Sequence, residues 1–288
     1  MTNQGRGYFD RMILSELEDA AGKANVSCRE VDRLVHAVDF YWVPRYWVDR
    51  GKTPPMADYI VYPESAEQIS KLLVIANYYR IPVVVWGGGS GSQGGALPVM
   101  GGIIMDMEKM NKVLFLNEAA YTVTAETGII HQHLEWEINK KGFSTQHLPA
   151  SIGCATLGGI LAHRGTGVLS TKYGKIEDLI VNMEVVLPNG DIINTLEVPR
   201  NASGPDLNQV FIGSEGTYGV MTKATLKVFE HPETRKYRAF MFKNMHDALD
   251  AGRKIMTKRL YGEHLGRALK ELEKVEVEVK NREFVNRV

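Results

Sequence analysis

The sequence lacks a charge surplus, a long apolar run and any appreciable cysteine content. Lysine plus arginine equals aspartate plus glutamate, at 34 each in 288 residues. A balanced chain has no basic field to mark it for nucleic acid or an anionic membrane. No apolar run approaches the ~20 residues that cross a bilayer. The N-terminal stretch MTNQGRGYFDRMILSELEDAAG is studded with acids and has no apolar segment of signal type. Its two cysteines, Cys28 and Cys154, make neither a metal motif nor a disulfide framework. These absences lead to the expectation of a cytoplasmic protein with no nucleic-acid partner, no transmembrane segment and no metal site. What is present is glycine, 28 residues in clusters. Clustered glycine is used where backbone closely approaches a ligand.

The apolar pattern reads as α+β. Residues 11–37 carry helical spacing, and DFYWVPRYWVDRGKTPPMA, broken by prolines, reads as an irregular surface segment. DYIVYP, ESAEQISKLLVIANYYR and IPVVVW read as strand, helix and strand, a βαβ unit with parallel strands. Ser65 is the expected cap of that helix, with Gln68 in the capping-box position. Strands follow in GGIIMDMEKMNKVLFLNEAAYTVTAETG, then a helix in IIHQHLEWEINKKGF ended by Gly142. Pro188, Asn189 and Gly190 signal the turn of a hairpin. KYRAFMFKNMHDALDAGRKIMTKRL reads as strand then helix, and the charge-rich tail after it as a solvated helix.

IPVVVWGGGSGSQGG contains G-x-G-x-x-G at Gly89, Gly91 and Gly94. A dinucleotide-binding turn needs a helix directly afterwards, so that its first amides face the pyrophosphate. Pro98, Gly101 and Gly102 leave no room for one, and no Gly-Lys-Ser/Thr follows for a Walker loop. Two readings remain: a mobile or bulged loop, or a nest of backbone N–H groups curled around an anion. PASIGCATLGG, HRGTG and GSEGTYGVMT repeat the combination of glycine and hydroxyl residues beside an apolar run.

This ordered set, with STKYGKIEDLIVNMEVVLPNGDI, resembles the PCMH-type FAD-binding domain of the vanillyl-alcohol oxidase family. Within that family it is most similar to the D-lactate/glycolate dehydrogenase and alkylglycerone-phosphate synthase branch. The resemblance covers roughly residues 20–255. It implies two α/β subdomains with FAD between them. It places the pyrophosphate loop at Trp86, Gly87, Gly88, Gly89, Ser90, Gly91 and Ser92. Pro149, Ala150, Ser151, Gly153, Cys154, Ala155 and Thr156 match the segment along the ribityl chain and isoalloxazine, and Gly158 and Gly159 let the next helix pack close. His163, Arg164, Gly165 and Thr166 match a second cofactor turn. Glu215, Gly216, Gly219, Val220 and Met221 match a segment whose backbone meets the adenine half. Covalent members carry a histidine in the glycine loop. Ser90 stands there, so the resemblance implies non-covalent FAD.

The domains expected on this basis are residues 1–55, a helical and irregular N-terminal segment; 56–232, the FAD-binding domain; and 233–288, the start or remnant of a cap domain with a charged tail. A full relative has a larger cap, which supplies most acid–base groups, so the cap is expected to be missing or severely shortened and no catalytic residue is assigned. YGEHLG, Tyr261–Gly266, faintly matches a cap motif. The implied function is FAD-dependent oxidation of a small molecule of the 2-hydroxy acid class. An alkylglycerone-phosphate-synthase-like transferase is the alternative, and a flavin-binding subunit without independent activity is another. A homodimer or a partner subunit is compatible with each. His131 and His133 do not share a helix face and read as surface histidines. Arg164 is open between a substrate carboxylate, a phosphate and a neighbouring acid. The aromatic stretch Phe40 to Trp47 reads as a packed wrap over the domain.

Overall fold

The computed structural model describes residues 3–199, 201–235 and 239–257. Two compact units divide the chain, Met1–His231 and Pro232–Val288. The first holds two large sheets and a two-stranded pair. The strands are β1 (Val26–Ser27), β2 (Tyr59–Val61), β3 (Val83–Trp86), β4 (Ile103–Asp106), β5 (Val113–Asn117), β6 (Thr122–Glu126), β7 (Phe143–Ser144), β8 (Ile180–Val186), β9 (Ile192–Asn194), β10 (Val220–Lys227) and β11 (Phe229–Glu230). The first sheet runs β1-β2-β4-β3, the second β5-β6-β10-β8-β9, and β11 pairs with β7. In the second unit the described element is the helix Met245–Thr257.

The first sheet is built on buried apolar strands. β2 and β4 are buried at every residue, as parallel strands covered on both faces are. The helix Ala66–Tyr79 joins β2 to β3, but β4 lies between them, parallel to both. The βαβ unit therefore steps over one strand, which hydrophobic periodicity does not encode. Ala66, Ile69, Leu72, Leu73 and Ala76 are the buried stripe of this helix. Each large aliphatic contributes about 1.5–3 kcal/mol on burial, against about 1 kcal/mol for a cap. Packing thus fixes the helix, and the cap sets its start. Ser65 Oγ accepts from Gln68 N–H at 3.3 Å. The reciprocal arm of the capping box is displaced by one residue, because Gln68 Oε1 accepts from Glu64 N–H.

Three N-terminal expectations are corrected. Residues 11–37 are not continuously helical. The helix Asn3–Ala21 ends at Gly22, whose φ is 92°, and β1 then pairs antiparallel with β2. The aromatic stretch is not irregular: Trp42–Val48 is a helix. Pro44 falls in its first turn, where a missing N–H leaves no hydrogen bond unmade. Nor is that stretch packed against the domain throughout, although Pro44 is buried. Phe40 is 60% and Trp42 64% exposed, and the segment is anchored through its backbone, Phe40 N–H donating to Gly89 O at 2.9 Å.

The second sheet is antiparallel, with β10 at its centre paired to β6 and β8. The Pro188–Gly190 turn joins β8 to β9 as a hairpin, though Ile176–Leu179 ahead of it is a short helix. In the second unit, residues 239–244 form no strand. The tail and YGEHLG lie outside the described residues.

Candidate functional site

The glycine loop leaves the end of β3 and runs across the gap between the two sheets. Here lies a cavity of about 920 Å³, near the upper end of the usual range of about 300–1,000 Å³ for small-molecule sites. Trp86, Gly87, Gly88, Gly89, Ser90, Gly91 and Ser92 line one wall. Pro149, Ala150, Ser151, Cys154, Ala155 and Thr156 line a second, with Gly158 and Gly159 behind them. His163, Arg164, Gly165, Thr166, Glu215, Gly216, Gly219 and Met221 complete it.

Two residues expected at the site stand apart from this wall. Val220 precedes Met221 on β10, and successive strand residues face opposite ways. Met221 meets the cavity, whereas Val220 joins the core against the first sheet with Val186. Gly153 is exposed on the outside of its turn.

The walls meet backbone to backbone. A Cβ on Gly88 would overlap the Cys154 carbonyl oxygen, and one on Gly87 would overlap Thr156 Oγ1. Glycine is required at both positions by contact. Among the described residues, none accepts a hydrogen bond from the backbone N–H of Gly88, Gly89, Ser90, Gly91 or Ser92. Unpaired amides on a cavity wall need an acceptor from a ligand or water, and five in succession suit an anion such as a phosphate. Thr156 caps the helix Leu157–Ala162, its Oγ1 accepting from Gly159 N–H at 3.2 Å.

Thr127, which sequence reasoning missed, is the joint of this arrangement. It lies on the cavity and is 1% exposed. Its N–H donates to Thr222 O at 3.0 Å, its Oγ1 to Met221 O at 2.6 Å, and its carbonyl accepts from Gly158 N–H at 2.7 Å. Phe40, Arg45, Val85, Gln93 and Met107 also reach the cavity. The only local signal for Thr127 is a Thr-Gly pair after a strand, which is indistinct from a turn.

Side chains at the far wall are polar. His163 Nδ1 lies 3.5 Å from Glu215 Oε1, joining two cavity loops, both side chains about half exposed. Arg164 donates from Nη2 to Gln209 Oε1 at 2.7 Å. Arg164 and Glu215 hold left-handed backbone, with φ of 56° and 49°. Such strain in non-glycine residues concentrates at ligand sites. Cys154 and Cys28 are free thiols, and Cys154 Sγ sits 3.4 Å from Ser151 O. Among the described residues no group of three or more potential ligands could hold a metal, and no helix is long and apolar enough to cross a membrane.

Behind the wall lies a buried polar cluster that corrects the surface reading of His131. His131 is fully buried, and only His133 is exposed. Glu135 accepts from Ser144 Oγ, Thr145 N–H and Thr145 Oγ1 at 2.7, 2.8 and 2.5 Å. With its hydrogen given to Glu135, Thr145 Oγ1 accepts from His131 Nε2 at 3.0 Å. His147 packs edge-on against His131, ring centroids 5.6 Å apart. Burial pushes both imidazoles down to about 4, and the two rings disfavour charge on His147 further.

Residues 57–196 match the family model described as FAD binding domain. The chain is 38% identical over 214 residues to alkyldihydroxyacetonephosphate synthase of Caenorhabditis elegans, covering 73% of this chain and 36% of that protein. It is 32% identical over 237 residues to glycolate oxidase subunit GlcD of Bacillus subtilis, covering 82% of this chain and 48% of the relative. A solved alkyldihydroxyacetonephosphate synthase structure superposes with a TM-score of 0.80 at 31% identity, over 86% of this chain and 46% of the other. Residues 57–196 thus carry the FAD binding domain that the PCMH-type flavoproteins share. The chain spans about half or less of the length of these relatives.

Proposed function

We propose that this chain holds FAD non-covalently in the cavity between its two sheets and forms the flavin-binding half of an oxidoreductase acting on a small 2-hydroxy acid. The unpaired amides of Gly88 to Ser92 carry this reading. They suit the pyrophosphate, because backbone donors bind an anion without the clash a side chain would bring. The residues present fit the group: the cavity is large, its walls are glycine-rich, and its donors are main-chain N–H groups.

The division of labour follows from residue type. Pro149 to Thr156 form a wall with little side-chain bulk, suited to a flat ring system. Bound flavin supplies a two-electron acceptor, while the protein positions it and limits access to water. His163, Arg164 and Arg45 are the basic residues lining the cavity and the candidates for meeting a substrate carboxylate. Glycolate, named in the B. subtilis relative, is the simplest substrate of the class. The transferase reading rests on the greater identity to alkyldihydroxyacetonephosphate synthase.

Anaerobic mixing of the FAD-loaded chain with glycolate or D-lactate tests the oxidoreductase reading. Bleaching of the flavin absorbance is the expected result. Retained flavin colour with every hydroxy acid, in a chain that does bind FAD, would favour the transferase or a non-catalytic subunit. Failure to bind FAD would overturn the whole assignment.

A further inference from the structure

His36 is a buried titratable group that the cavity wall does not contain. It is 5% exposed and follows the helix Glu30–Val35. Its Nδ1 lies 2.7 Å from the main-chain oxygen of Asp32, and its Nε2 lies 2.8 Å from Asp106 Oδ2. The Asp32 carbonyl can only accept, so Nδ1 donates. The other Asp106 oxygen accepts from Glu108 N–H at 2.9 Å, so Asp106 is held through both oxygens. Between an imidazole and a carboxylate the proton belongs on the more basic imidazole. When both ring nitrogens donate, to Asp32 and to Asp106, the ring is an imidazolium. Burial pulls its pKa down, but the bonds to Asp106 and Asp32 and the nearby Glu108 outweigh this and raise it.

The surroundings of this cation are defined on every side. Asp106 comes from β4, Glu108 from the turn Met107–Lys109 and Asp32 from the helix Glu30–Val35. The Asp32 carboxylate is occupied outward by Arg29 at 2.8 Å. Tyr62, just beyond β2, stands edge-on at 6.3 Å, its hydroxyl pushed up to about 12 by burial and so neutral. Trp86 lies edge-on at 5.0 Å.

Trp86 connects this cation to the cofactor wall. It is the last residue of β3, paired across the ladder with Asp106. The loop returns over its indole, since a Cβ on Gly89 would come within 2.6 Å of Trp86 Cζ2. Four residues beyond His36, Phe40 N–H holds the Gly89 carbonyl at 2.9 Å. The N-terminal segment thus grips both the base and the turn of the glycine loop. We propose that the His36 imidazolium is a positioning residue for the FAD: clamped to Asp106, it holds Trp86 and the Gly87–Ser92 loop in the shape that presents their amides, and losing its proton relaxes that shape. This rests on the FAD-binding reading, and its test separates the two.

The test has a direct arm and a binding arm. Imidazole ¹⁵N NMR of the full chain without FAD is expected to show His36 titrating above the ordinary value near 6.5, with both ring nitrogens protonated on the acid side of that titration. A titration at or below about 6.5 would overturn the proposal. FAD affinity, read from flavin fluorescence between pH 6.5 and 9.5, is expected to weaken about tenfold through that titration, the effect of losing one charge-assisted hydrogen bond. His36→Gln should bind about tenfold more weakly at pH 6.5 and show no such step. An unchanged affinity and pH profile in His36→Gln would sink the idea. Asp106→Asn is the second variant should His36→Gln fail to fold, and it should also lose the step. If the wild-type chain binds no FAD at any pH, the functional reading fails by itself. The clamp is then judged by amide exchange in Gly88–Ser92 at a single pH: faster exchange in either variant supports it, and unchanged exchange refutes it.

Discussion

Gly88 and Cys154 meet backbone to backbone, so closely that a methyl group on the first would overlap the carbonyl oxygen of the second. Gly88→Ala must push the glycine loop and the Pro149–Thr156 segment apart. The expected outcome is a folded protein that loses most of its flavin, at least tenfold in affinity. Gly153→Ala is the control, because a Cβ there meets nothing within 4 Å. Flavin-to-protein absorbance ratios alongside circular dichroism decide the matter. Equal flavin content in the two variants would remove this contact from the site.

Gly128 makes a similar approach away from the cofactor wall. A Cβ there would overlap the Met107 carbonyl oxygen and lie 2.8 Å from that of Met110. Both neighbours are backbone and cannot swing aside. Gly128→Ala is expected to destabilise the protein by about 1–3 kcal/mol, the usual cost of overpacking. A shift of the urea midpoint with an unchanged slope is the signature.

Acid should loosen the floor behind the cavity. His131 and His147 are held near 4 in the folded protein, against about 6.5 unfolded. Between these values the unfolded chain binds more protons, so stability rises with pH there. It is complete above about 6.5 and is lost as pH falls toward 4. By pH 5 the loss is on the order of 2 kcal/mol for each histidine. Thermal melts at pH 7.5 and 5 measure it. His131→Gln, which keeps a donor to Thr145, should flatten the dependence.

Cys154 lines the cavity, and Cys28 does not. FAD is therefore expected to slow alkylation of Cys154 by iodoacetamide several-fold and to leave Cys28 unchanged. Peptide mass spectrometry resolves the two. Equal protection, or none, would place the cofactor away from the Pro149–Thr156 wall.

The family resemblance implies that Ser90 stands where covalent members carry histidine, and a hydroxyl forms no imidazole tether to flavin. Acid precipitation should leave the FAD in the supernatant. Yellow colour in the pellet after washing would show a covalent bond.

Much of this arrangement was legible in the chain because it depends on local chemistry. The helical stripe from Ala66 to Ala76, the cap at Ser65 and the turn at Pro188–Gly190 each declare themselves within a few residues. The glycine segments show that backbone must come close to something, and their order supplied the family. Other features were hidden by the same local reading. His131 looked like a surface residue, since nothing in HQHLEWE reveals that Thr145 and Glu135 close around its ring. Thr127 looked like the end of a strand, since its three partners lie about 30 and 95 residues away.

The sequence by itself determined the helix Ala66–Tyr79, the strands on either side of it, the Pro188–Gly190 turn and the glycine loops, because period, caps and turn residues act over a few bonds; it did not determine the break at Gly22 or the helix Trp42–Val48. Only the tertiary structure decided that β4 lies between β2 and β3, that β1 extends their sheet, and that His36 meets Asp106 across 70 residues. A periodic pattern says which face of an element is apolar but not which other element covers it. That choice is made by packing and by the pairing of buried polar groups, whose energies exist only once distant parts of the chain have come together.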